Sequence, residues 1–167
     1  MDKDWIVVAN QAGAKIFTLA PPAPRLKDLQ APPLSTEAPS RLVEREALEH
    51  PEGRLRSQAI NADRPGRSFE SAGAKRHAMT REVDPKKQEA IVFAQSVADH
   101  LENARRKEEV ARLVLIAAPE FLGLLRDAMT VELRRLVVAE FSLDLAHMSP
   151  QEIRAHLPQT LFGGQEP

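Results

Sequence analysis

The hydrophobic pattern along the chain changes period once, near residue 84. Before that point apolar residues come in short runs. WIVVAN, from Trp5 to Asn10, is a β-branched run suited to a buried strand. Gln11-Ala12-Gly13 supplies a turn signal, and AKIFTLA reads as a second strand returning antiparallel to the first. RLVEREALE, Arg41–Glu49, reads as a third strand with only partial alternation. Beyond residue 84 the spacing becomes helical. Asp84-Pro85 is an N-cap followed by proline at the first helical position, where its missing donor costs nothing. Ala90, Phe93, Ala94, Val97, Ala98 and Leu101 then form one apolar stripe, and the helix is predicted to end around ARRKEE. RLVLIAA follows as a fully apolar strand of the kind buried on both faces in a parallel sheet. Pro119 opens a second helix, PEFLGLLRDAM, and Leu136–Phe141 makes another apolar strand. The last helix starts at Ser149-Pro150-Gln151-Glu152, a capping box, with Met148 and Ile153 placed as its hydrophobic staple.

The predicted order is β-β-β-α-β-α-β-α. A hairpin start followed by two right-handed crossovers fits a three-layer α/β fold with a mixed five-stranded sheet covered on both faces. This is the order of the ribonuclease H-like fold and of its relatives among translation proteins. Residues 1–160 read as one domain with two interruptions. Six of the thirteen prolines fall in a Pro-rich excursion over residues 21–39. Residues 50–82 lack periodicity, carry Pro51, Gly53, Pro65, Gly66 and Gly73, and read as a long loop. Residues 161–167 read as a flexible tail that includes Gly163-Gly164-Gln165.

Composition adds exclusions more than it adds a function. At 167 residues, 43% hydrophobic and 28% charged, the chain is long and apolar enough for a core without staples. It has no cysteine, which excludes disulfide scaffolds, thiol catalysis and Cys-type zinc sites. No apolar run reaches the length of a membrane span, and the short acidic N-terminus does not read as a signal peptide, so a cytoplasmic location is expected. The formal net charge of −1 predicts no global attraction to polyanions. Local charge differs: residues 50–81 hold seven Lys/Arg against three acids, a net of +4, leaving −5 for the rest.

A ribonuclease H-type nuclease needs carboxylates holding divalent metals at strand ends. WIVVAN has no acid in its body, Asp2 and Asp4 are placed before it, RLVLIAA ends without one, and Asp144 stands alone. Ser68 and His77 pair only in sequence, and His50, His77, His100, His147 and His156 show no metalloprotease spacing. No metal and no cofactor is called for. Two features stand above this background. In DRPGRSF, a Pro-Gly turn sets Arg64 and Arg67 three residues apart, either forking onto an anion or pairing with Asp63 as a solvated turn. At the turn into the Pro119 helix, Ala118 offers no side-chain cap, and Gly123 permits either close packing or close ligand approach. The candidate anion- or RNA-contacting set is Arg54, Arg56, Arg64, Gly66, Arg67 and Arg126, with no catalytic residue.

WIVVANQAGAKIF, LEHPEGRLR, DRPGRSF, LVLIAAPEFLGLLR and LDLAHMSPQEIRAHL together resemble the bacterial host-attachment protein family, from Trp5 to about Leu157. The resemblance implies a role in attachment to host cells and names neither a reaction nor a receptor. It also implies similarity to the middle domain of archaeal and eukaryotic peptide release factors, although no internal Gly-Gly-Gln is present here. Three readings follow. The first is a non-catalytic cytoplasmic module binding an anionic partner, such as ribosomal or other RNA, through residues 50–81. The second is an interaction protein serving attachment directly or by regulation. The third is an enzyme on a small phosphorylated ligand at the Pro119 turn.

Overall fold

The computed structural model describes residues 3–21, 40–50 and 84–162. The Pro-rich excursion, the long loop and the tail expected from the sequence therefore lie almost wholly outside the described residues. The strands are β1 (Asp4–Ala9), β2 (Gly13–Ala20), β3 (Arg41–Glu49), β4 (Arg112–Ala117) and β5 (Val137–Ser142). The helices are α1 (Pro85–Arg106), α2 (Pro119–Ala128), α3 (Val131–Arg134) and α4 (Pro150–His156). The five strands form one mixed sheet in the order β3-β2-β1-β4-β5. β2 runs antiparallel to both β1 and β3, whereas β4 runs parallel to both β1 and β5.

The central position of β1 explains why all six of its residues are buried. Trp5, Val7 and Ala9 face one layer, where they meet the α1 stripe, Phe121, Leu122 and Leu125 of α2, and Leu133 of α3. Ile6 and Val8 face the other layer, packed with Leu145 and with Ile153 of α4. β1 starts one residue earlier than the sequence suggests and includes Asp4, at the end of the strand away from the turn. Arg112 Nε and Nη2 grip that carboxylate at 2.7 and 2.5 Å, a bidentate pair across the parallel β1–β4 register.

Two irregularities in the ladders matter for packing. Ile16 pairs with Glu46 and Phe17 with Glu44, so Arg45 is an extra residue in β3. A bulge of this kind switches the following side chains to the opposite face. Leu42 accordingly packs in the α4 layer and Leu48 against the α1 layer, although the two are an even number of residues apart. The Arg45 guanidinium sits 4.8 Å above the Trp5 ring. Val138 plays the same part in β5, where Leu113 pairs with Val137 and Val114 with Ala139. It is half exposed, while Val137 and Ala139 pack on opposite faces.

The helix starts match the capping chemistry. The Asp84 side chain accepts from the Lys86 amide at 3.2 Å. Ser149 and Glu152 form both halves of a capping box, and Met148 packs with Ile153. The sequence does not predict the one-turn helix α3, because four residues carry no measurable period. Its N-cap Thr130 accepts from the Leu133 amide and donates to Glu102 at 3.0 Å. Glu102 also accepts two bonds from Arg105, at 2.9 and 2.7 Å, and one from Arg106 at 3.2 Å. Arg105 foremost, with Thr130 and Arg106, overrides the burial penalty and holds the Glu102 carboxyl down at about 2.

Candidate functional site

β1 and β4 are parallel neighbours whose onward connections part. β1 turns through Gln11 into β2 on one side, and β4 passes through α2 toward β5 on the other. Crevices at the carboxyl ends of such diverging strands are favoured ligand positions in open α/β sheets. A cleft of about 600 Å³ lies at this place. Its α1 wall presents Asp84, Lys86, Lys87 and Ala90, and its α2 wall presents Glu120, Gly123, Leu124 and Asp127. Gln11, from the β1–β2 turn, completes the lining. That turn is fixed by Asn10, whose Oδ1 accepts from the Ala12 and Gly13 amides at 2.8 and 3.2 Å. A Cβ on Gly13 would stand 3.2 Å from the Leu48 carbonyl oxygen, so the close approach of β3 favours glycine there.

The α2 wall decides between the two readings of Gly123. A Cβ built there meets nothing within 4 Å, so close helix–strand packing does not account for this glycine. Glycine inside a helix gives up about 1 kcal/mol relative to alanine. At Gly123 that cost leaves open volume in the cleft. The N-cap Ala118 makes no side-chain hydrogen bond, as its methyl group dictates. Glu120 and Asp127 are exposed, as expected for a solvated helix face, and both border the cleft.

Of the residues singled out from the sequence for anion binding, Arg54, Arg56, Arg64, Gly66 and Arg67 lie outside the described residues. Arg126 is on α2, where its Nε donates to Glu140 Oε2 of β5 at 2.8 Å, and its Nη2 donates to the same oxygen. This pairing holds Arg126 more firmly in its charged form. It spends the guanidinium on joining α2 to the edge strand, apart from the cleft lining. Asp144, the lone acid after the last strand, lies 3.5 Å from Asn10 Nδ2 and 3.9 Å from His147 Nδ1. Among the described residues no three His, Asp or Glu side chains converge as metal ligands would, and no helix is long and apolar enough to cross a membrane.

Lys86, Lys87 and Gln11 were missed from the sequence. One signal pointed to the lysines: cations are disfavoured in the first turn of a helix. Among the described residues, the other helices carry Glu120, Glu132 and Glu152 there, while α1 has no acid. The described residues that flank 51–83 also stand near this cleft. Asp84 lines it, and His50 Nδ1 lies 3.2 Å from the Gln11 carbonyl oxygen, with the His50 ring stacked 4.9 Å from Phe93 of α1.

No curated protein gives a significant match to the chain. The family model described as "protein required for attachment to host cells" matches residues 5–157, so the chain belongs to the host-attachment family, which points to a role in attachment to host cells.

Proposed function

We propose that the chain serves attachment as a non-catalytic cytoplasmic module that binds RNA through its basic segment, with Arg54, Arg56, Arg64 and Arg67 on the phosphates. The observation that carries this reading is the placing of His50 and Asp84. The described residues on either side of 51–83, His50 and Asp84, stand beside one cleft at the carboxyl end of the sheet, and residues 50–81 hold seven Lys/Arg against three acids. Arg126 stays outside the contact set, because Glu140 already neutralises it. The family description also favours an interaction protein acting directly in attachment, and fractionation into cytosol, ribosomes and cell surface separates the two.

The test is a salt titration of single-stranded RNA binding by Arg64→Ala/Arg67→Ala beside the parent. Each lost phosphate contact lowers the slope of log affinity against log salt by about 0.7. Base preference stays constant, since phosphate contacts position a protein without reading sequence. Unchanged affinity and slope remove the two arginines from the site. A fall in Tm assigns them to the fold instead.

A further inference from the structure

We infer that the cleft between α1 and α2 binds a small phosphorylated polyol, of which a sugar phosphate is the simplest case. The site uses none of the arginines assigned to RNA above, so it stands or falls separately. Its volume of about 600 Å³ falls within the range of small-molecule pockets, roughly 300–1,000 Å³. The two walls differ in charge. The α1 wall carries Lys86 and Lys87 of its first turn beside the N-cap Asp84, and the α2 wall carries only acids, Glu120 and Asp127. The two carboxylates are seven residues apart on one helical face, a strip about 10 Å long with Gly123 and Leu124 between them.

That lining selects among ligand classes. A phosphate suits the lysine wall, and hydroxyl groups suit the carboxylates and the Gln11 amide, which accept and donate accordingly. A bare polyanion would meet Asp84, Glu120 and Asp127 at the same time, which disfavours it. A nucleobase would want an aromatic platform, and the described lining offers only Ala90 and Leu124 as apolar surface. Gly123 fits the same picture, because it lines the cleft and a Cβ there meets nothing within 4 Å.

Calorimetric titration of the full chain with glucose 6-phosphate, glucose and inorganic phosphate tests the assignment. Glucose 6-phosphate is expected to bind saturably, with glucose and phosphate each weaker by about tenfold or more, the loss expected when charge-assisted hydrogen bonds are removed. Lys86→Ala/Lys87→Ala should weaken glucose 6-phosphate by a similar factor. Gly123→Leu should abolish binding, while Gly123→Ala, whose new Cβ meets open space, should leave Tm unchanged or raised. If Gly123→Leu fails to fold, Asp127→Asn replaces it, and there a weakened affinity is the supporting result. Absence of saturable heat with glucose 6-phosphate overturns the site. So does parental affinity in the folded cleft variants, or phosphate alone binding as tightly. The Arg64→Ala/Arg67→Ala protein should bind glucose 6-phosphate like the parent, so a failure of the RNA reading leaves this one intact. Loss of glucose 6-phosphate binding in that variant would move the ligand out of the cleft and overturn the assignment.

Discussion

Glu102 shows how one carboxylate can hold two helices in register. It is buried near the end of the 22-residue α1, and it takes donors from Arg105 and Arg106 of its own helix and from Thr130, the N-cap of α3. Those donors exist only in the folded chain, so its folded value near 2 lies below the ordinary 4.5. A carboxyl lowered in this way adds stability that is complete above the ordinary value and is lost as pH falls through the folded one. Acid titration of Tm should therefore show a decline between pH 4.5 and about 2 that is shallower in Glu102→Gln. At neutral pH that substitution should cost about 1.5–3 kcal/mol, the range for hydrogen bonds to a charged group. Parallel acid profiles for the two proteins would show that other carboxylates govern the decline.

Among the elements, legibility followed local regularity. β1 and β4 were readable because burial on both faces leaves continuous apolar runs, and α1 and α4 because Asp84 and Ser149 cap them with their own side chains. The partial alternation of β3 has a cause that no period can reveal: the extra residue Arg45 turns Leu42 and Leu48 to opposite layers. Val138 does the same in β5. The cleft was half legible. The Ala118 cap and Gly123 marked its α2 wall, whereas its α1 wall begins at residue 84, and only folding brings the two together. The β3 bulge makes a prediction. Arg45→Ala should lose only the contact over Trp5, about 0.5–1 kcal/mol at such a site. Deleting Arg45 should restore regular pairing and turn Leu42 or Leu48 away from its layer, at a cost of about 2 kcal/mol or more. Urea unfolding compares the two. Equal losses would show that β3 shifts register without consequence.

Across the whole molecule, β1 separates two ends with different duties. Its carboxyl end, past Ala9, carries the cleft and the His50 contact with Gln11; its amino end carries the Asp4–Arg112 pair. Arg112 also donates to the Phe162 carbonyl oxygen at 3.2 Å and lies 5.1 Å over the Phe162 ring, fastening the end of the described chain to the sheet. Six residues of strand set these ends about 17 Å apart, beyond the separation at which stability effects usually couple. Arg112→Met leaves the 8% exposed Asp4 without its ion partner, which should cost about 2 kcal/mol. Gly123→Ala, at the other end, should gain about 0.5–1 kcal/mol, because its new methyl group meets open space. In the double variant the two changes should add to within about 0.5 kcal/mol. The Arg112→Met protein, where folded, should retain the parent's affinity at the cleft. A larger departure from additivity, or weakened binding in Arg112→Met, would show that β1 and β4 transmit strain between the ends. The amino-end ion pair would then set the shape of the cleft as well as the stability of the fold.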